Sequence, residues 1–340
     1  MEFVRAFIKG HEVDLYLFYT INDWMFFLDR LDLDRRFRVL RGELAEVGIE
    51  EELRGWSFES GLVRPPSDIL LGVSELASRY CPTMRDLYLR RILGVRPPPN
   101  VKMTRGIAFH EVCSRVVHEV KRMLFENPKG VPGYVILDRL LPQAEVIVDG
   151  ILMRAEGRTA RLKPQDHAAL RCEALSLYRF LVIQAAAKVD QALSKYPHAT
   201  SDSIMSIAIP PILERKVDGS LVGLGRELSV DIYTPYNAVA DLKTGEVRDF
   251  HPYTVTGYAL ALEAEEGIPI NYGIITYVRV RDDVPRFRIR CFLIGNELRR
   301  EFLELRDEAY TLLEVGRDPG KPPRCPRYCP YHPVCIGEMG

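Results

Sequence analysis

The chain has 340 residues, 47% of them hydrophobic and 27% charged, enough to bury a sizeable core in one large or two ordinary domains. Its 46 Lys and Arg against 47 Asp and Glu leave a formal net charge of −1, which excludes the global basic field of a protein that coats nucleic acid; any such surface has to be local. No apolar run reaches the roughly 20 residues of a membrane helix, and Val13 to Leu28, the best candidate, is interrupted by Asp14, Asn22 and Asp23 and follows no basic leader, so the chain reads as soluble and cytoplasmic, without a membrane partner.

In chain order, residues 1–24 carry no site motif and read as a dispensable extension ahead of Met25, a candidate start-codon artefact. Their apolar Leu15, Leu17, Phe18 and Ile21 are the argument for docking on the rest. Residues 25–100 read as a helical region: a charged helical part ends at Pro65-Pro66, a helix is expected from about Val73 to Leu93, and GVRPPPN follows as a linker. Cys81-Pro82 is expected to open that helix, with the sulfur near helix N–H groups that favour a thiolate.

Residues 101–320 form the second block. Helical spacing of apolar residues predicts helices from about Thr104 to Phe125 and from about Asp166 to Tyr196. From Ile204 the period changes: IMSIAIPPILERKV, ELSVDIYT and NAVADLKT are β-branched runs separated by DG, GLG and TPYN, a meander of strands. A helix from about Tyr253 to Glu265, strands NYGIITYVRV and RFRIRCFLI joined at DDVP, and a helix from about Asn296 to Val315 complete it. Residues 321–340 are a cysteine loop expected to pack against residues 74–95.

The chemistry concentrates in the meander. Asp241 and Lys243 are two apart on one strand and share a face, and a hairpin through TPYN can bring Asp231 beside them. Paired carboxylates suit a hard divalent cation, and a neighbouring Lys can orient and help deprotonate water, the makings of phosphodiester hydrolysis. The bland alternative is an exposed ion pair at a strand end. Glu214, one strand earlier, is either a neighbour of the metal or solvated.

Seven cysteines divide in two. Cys113, Cys172 and Cys291 sit singly in apolar-periodic stretches and read as core. Cys325, Cys329 and Cys335 crowd into CPRYCPYHPVC, where three prolines hold turns that can aim thiolates at one point. A tetrahedral ion or a cluster needs a fourth ligand, either His332 in a local zinc knuckle or the remote Cys81. RRFRVLR, MRDLYLRRILGVR and VRVRDDVPRFRIR alternate Arg with apolar residues and suggest a local phosphate track, although each alone is commonly a solvated face.

ERKVDGSLVGLGRELSVDIYTPYNAVADLKTGE resembles the RecB-like branch of the PD-(D/E)XK nucleases, whose strand-hairpin-strand core carries Asp and then Asp-x-Lys. That resemblance implies an α/β, restriction-endonuclease-like core, a mixed central sheet flanked by helices, with a helical N-terminal region and a C-terminal iron-sulfur loop. GIAFHEV is similar to the helical motif of this branch that supplies a histidine, which implies His110, Asp231 and Asp241 on a Mn2+ or Mg2+ ion. TVTGYALALE is similar to its Q-x-x-x-Y helix, matching at Tyr258 and presenting Thr254 in place of Gln. The implied catalytic set is Asp231, Asp241, Lys243 and Tyr258.

Members with one Cys before the His motif and three at the end bind an iron-sulfur cluster, which implies Cys81, Cys325, Cys329 and Cys335 as its ligands, with 4Fe-4S preferred over 2Fe-2S. ELRGW and GYALALE narrow the resemblance to the CRISPR-associated iron-sulfur nucleases, in their archaeal subtype I-A variant. It implies metal-dependent exonucleolytic trimming of DNA ends, single-stranded ones above all, during spacer acquisition beside the CRISPR integrase proteins. The competing readings are a catalytically weak DNA-binding scaffold of that complex and a general recombination-repair nuclease.

Overall fold

The structure is a computed structural model that describes residues 26, 30–78, 80–128, 130–209, 212–234 and 237–337, together with two short antiparallel strands, Ala6–Ile8 (β1) and His11–Val13 (β2). The rest of residues 1–24 lies outside the described residues, and with it the reading of that segment as dispensable.

Helix Arg30–Val47 (α1) is followed by single turns around residues 51–57 and by two short helices, Val73–Ala77 (α2) and Arg85–Arg91 (α3). Where one helix from Val73 to Leu93 was expected, the chain breaks at Cys81-Pro82. Proline has no N–H to continue the ladder, and Met84 takes a left-handed φ of 55° before α3 begins. Cys81 therefore sits in a turn, its carbonyl accepting from Met84 N at 3.0 Å, and not at a helix N-terminus.

Val101–Glu126 (α4) starts where the side chain of Asn100 accepts from Met103 N at 3.1 Å, an ordinary N-cap. Gly133–Leu140 (α5), Ala144–Arg158 (α6), Pro164–Lys195 (α7) and Ser201–Ala208 (α8) pack with it around one apolar core, which also takes in Leu242, Val278 and Phe287 from the sheet. The run IMSIA, expected as strand, is helical in α8 because Thr200 caps it, accepting from Ser203 N, and because Ile204 and Ala208, four apart, both face the core. Cys172, expected in the core, is exposed on α7, whereas Leu170 and Ala174 on either side of it are buried.

The sheet comprises Ile212–Val217 (β3), Leu228–Thr234 (β4), Ala238–Lys243 (β5), Tyr272–Arg281 (β6) and Val284–Leu293 (β7), in that spatial order. Every pairing is antiparallel except β5 with β6, which is parallel and is crossed over by His251–Glu266 (α9). Asp282 and Asp283, at φ 51° and 58°, make the two-residue turn between β6 and β7 that strand twist favours. Helices on both faces of a mixed sheet make this an α/β fold.

On the second face of the sheet, α9, α2 and Asn296–Val315 (α10) build another core with Val239, Ile275 and Tyr277. Glu263 of α9, fully buried, binds Arg299 of α10 and Arg54, and also accepts from Gly55 N and Ile270 N. A methyl on Gly55 would come within 2.0 Å of the Leu260 carbonyl, so only glycine lets the ELRGW turn lie on α9. The last element, His332–Ile336 (α11), closes the cysteine loop. No helix among the described residues is long and apolar enough to cross a membrane.

Candidate active site

The β4–β5 ladder ends at Ile232↔Ala240, one step short of both aspartates. The β3–β4 ladder has a gap at the same level, pairing Leu213 with Ile232 and Arg215 with Val230 but skipping Glu214 and Asp231. Glu214 adopts a left-handed φ of 51°, a conformation that costs a non-glycine residue roughly 1 kcal/mol or more and clusters at functional sites. With the backbone ladder interrupted, the Leu242 N–H is satisfied by a side chain, donating to Asp231 Oδ2 at 2.8 Å.

Into this gap α4 presents His110. Its neighbours Phe109 and Val112 are buried, which fixes the helix face, and the imidazole lies between strand and carboxylate. Nε2 is 2.9 Å from the Leu242 carbonyl, and Nδ1 is 3.5 Å from Asp231 Oδ1. Burial opposes a charge on His110, but the Asp231 carboxylate outweighs it and carries the imidazole up to about 9. Burial would likewise raise Asp231, and the His110 charge overrides it and holds the carboxyl below its usual range. His110, Asp231, Glu214 and Leu242 line a cleft of about 20 Å³, room for one water or ion.

Asp241 and Lys243 point to the other side of β5, as their spacing predicts. Asp241 is 5% exposed, and burial, more than any other influence, pushes its carboxyl up to about 6. Lys243 Nζ donates to Asp241 Oδ1 at 3.2 Å and ion-pairs with the buried Oδ2 at 2.9 Å. Although burial disfavours the Lys243 ammonium, Asp241 more than compensates and its pKa rises. Nζ also reaches Thr254 Oγ1 of α9 at 3.5 Å, so the residue standing in the expected Gln position faces the lysine. Tyr258, one turn further along α9, is pushed up by burial and by the charges of Asp241 and Asp231, which keeps its phenol protonated.

Among the described residues no three His, Cys, Asp or Glu side chains converge as a ready ligand set for one metal ion. His110 and Asp231 face the cleft while Asp241 faces Lys243. A hard cation still suits the donors: two carboxylates, one with a buried oxygen that makes no hydrogen bond beyond its ion pair with Lys243, and an imidazole beside a carbonyl.

A second group of side chains lies where the cysteine loop meets α3. Cys329, Tyr331 and Cys335 are buried with Tyr88 and Leu89, and Cys325 packs against them. Burial pushes the Cys329 thiol up to about 12, and Asp86, Cys81 and Cys325 act on it in the same direction; Cys81 Sγ itself lies 3.3 Å from the Thr83 hydroxyl. Cys325 is raised by burial and by Cys335 and Cys81. Arg85 donates to Cys335 Sγ at 3.2 Å and pairs with Asp318 at 2.8 Å, while Thr83 donates to the Gly320 carbonyl at 2.8 Å. His332 begins α11 by donating its backbone N–H to the Cys329 carbonyl.

Aromatic packing leads from the cysteine loop toward Lys243. Tyr80, beside Cys81, packs edge-on against Phe250 at 5.8 Å and Tyr328 at 6.3 Å, and it lies near enough to Lys243 to affect its charge. Sequence reasoning passed over this bridge, over Leu242 as the backbone junction of the site, and over His251, which meets the Tyr277 hydroxyl at 3.0 Å. The aromatic residue preceding each motif was the available signal for the bridge.

The family model for the CRISPR-associated exonuclease Csa1 matches residues 25–338. A Thermoproteus tenax protein named CRISPR-associated exonuclease Csa1 is 33% identical over 302 residues, 88% of this chain and 95% of its own. A Saccharolobus solfataricus protein of the same name is 30% identical over 314 residues, 92% of this chain and 99% of its own. No solved structure matches.

Proposed function

The chain belongs to the Csa1 family of CRISPR-associated exonucleases, and from that premise we propose that it hydrolyses phosphodiester bonds at DNA ends, single strands above all, during spacer acquisition beside the CRISPR integrase proteins. The sheet with α4 and α9 is read as a PD-(D/E)XK core. The observation that carries this reading is that His110 and Asp231 bind the carbonyl and amide of Leu242, the residue between the ion-paired Asp241 and Lys243, where β4 and β5 leave their ladder.

His110, Asp231 and Asp241 would hold a Mn2+ or Mg2+ ion, which when bound supplies Lewis-acid stabilisation of phosphate charge and a more acidic water. The chain's own part is positioning and charge. Lys243, kept cationic by Asp241, offers an ammonium to the negative charge that grows on the phosphate oxygens. His110, kept cationic by Asp231 while no ion is bound, would have to give up a proton to become a ligand, so cation binding competes with protonation. Tyr258 keeps a proton to donate near the same centre.

Cys81, Cys325, Cys329 and Cys335 are proposed to hold an iron-sulfur cluster, 4Fe-4S in preference to 2Fe-2S. Support comes from the packing of Cys325, Cys329 and Cys335 in one patch with Tyr80, the residue before Cys81, and from Arg85 donating to the Cys335 sulfur. The test of the main proposal is degradation of end-labelled single-stranded and duplex DNA with Mn2+ or Mg2+, against chelator and against Lys243→Ala. A second reading, a DNA-binding scaffold with weak catalysis, is favoured by one observation, Thr254 in place of a Gln. Tight DNA binding without cleavage in the same assay would select it.

A further inference from the structure

On β6 and β7, Tyr277 pairs with Arg288 and Arg279 with Arg286, while Arg281 lies at the end of the hairpin. Directly paired residues share a face, and in the parallel ladder Lys243 pairs with Tyr277. The arginines therefore continue, along one face of the sheet, the line that begins with Asp241 and Lys243. Together with Val247 and Tyr277 they line a groove of about 310 Å³.

No Asp or Glu lines this groove, and among the described residues no carboxylate pairs with Arg279, Arg281 or Arg286. Arg279 is instead anchored on the Gly245 carbonyl, through Nε at 3.3 Å and Nη2 at 3.2 Å, on the turn that leaves Lys243. Like charges directly opposite one another destabilise a sheet, so Arg279 facing Arg286 is an arrangement that stability alone disfavours and a bound polyanion would offset. Same-face residues recur about every 6.6 Å along a strand, which lets guanidinium groups meet successive phosphates of an extended chain.

We propose that the face of the β6–β7 hairpin bearing Arg279, Arg281, Arg286 and Arg288 is a phosphate track that holds single-stranded nucleic acid running to or from Lys243. The proposal deepens the nuclease reading and rests on it for direction, but binding can be read without cleavage.

The test uses full-length protein and a fluorescent single-stranded oligonucleotide in chelator, comparing wild type with Arg281→Gln/Arg286→Gln. Affinity should fall about tenfold or more, and the slope of log K against log salt should shallow by about 0.7 for each guanidinium lost. Arg281→Lys/Arg286→Lys should restore most of the slope. With divalent cation, KM for the oligonucleotide should rise while hydrolysis of a nucleoside p-nitrophenyl phosphate, too short to reach the groove, should not change. Unchanged affinity and slope in a folded double variant would overturn the track, as would stronger dependence of duplex than of single-strand binding on these arginines. Absence of all hydrolysis with an intact effect on binding would remove the nuclease reading and leave the track.

Discussion

Glu263 and Arg299 meet at two points sealed from water, Oε2 at 2.7 Å from Nη1 and Oε1 at 2.9 Å from Nη2. Arg299 also donates to the carbonyls of Ile294, Leu53 and Ile270, so the pair ties α9, α10 and the ELRGW turn together. Glu263→Gln leaves a buried guanidinium without its counter-charge and should cost about 3–5 kcal/mol. An apolar double replacement should not rescue it, because backbone groups at Gly55, Ile270 and Leu53 would lose their partners. Denaturant unfolding of the two variants checks both expectations.

Lys243→Ala should reduce cleavage by about 10²- to 10⁴-fold, in the range by which positioned catalytic side chains accelerate reactions. The melting temperature should change little, since Lys243 is partly exposed and its loss strands only Asp241, whose carboxyl can take up a proton. Asp231→Ala should cost as much activity and also free the Leu242 N–H. End-label cleavage with matched thermal melts measures each; full activity in either variant would remove that residue from the site.

Protein purified anaerobically should be brown and carry iron with acid-labile sulfide, and Cys81→Ser should bleach it. Removing the iron should lower the melting temperature, because a cluster on Cys81, Cys325, Cys329 and Cys335 would join the turn after α2 to the cysteine loop. Zinc without sulfide, retained in Cys81→Ser, would point instead to a local knuckle with His332. Metal analysis, visible absorption and melting curves supply the readouts.

His251 is held neutral: burial first, then the charges of Lys243, Arg248 and Arg290, lower it from 6.5 to about 3. A histidine depressed in the folded state favours folding fully above its unfolded value and loses that contribution as pH falls toward the folded one. Stability should therefore rise between about pH 3 and 6.5, by roughly 1–2 kcal/mol once screening of the part-exposed ring is allowed for. His251→Gln should flatten this segment of the stability profile, and the His251 ring resonances should not titrate between pH 5 and 8.

Most of the strand-rich half was legible, because β5, β6 and α9 are buried on every side and read as near-continuous apolar runs, while α10 buries one repeating face. The Asp-x-Lys spacing placed Asp241 and Lys243 on one side of β5 by geometry alone. Three things were illegible for physical reasons. Arg299 and Arg306 look like solvated charges on an amphipathic helix, yet both are fully buried, Arg306 donating to the carbonyls of Leu62, Val63 and Val222. The helical identity of IMSIA depends on a cap at Thr200 that outweighs β-branched content. The site's junction is backbone, the amide and carbonyl of Leu242, and no residue type announces it.

That junction has a consequence for how this position can vary. The side chain of Leu242 belongs to the core beneath the sheet, so Ile, Val or Met of similar volume could replace it at small cost, while its amide and carbonyl stay against Asp231 and His110. Relatives could drift freely there among apolar residues without disturbing the chemistry above. Proline alone is barred on principle, since it has no hydrogen to give Asp231.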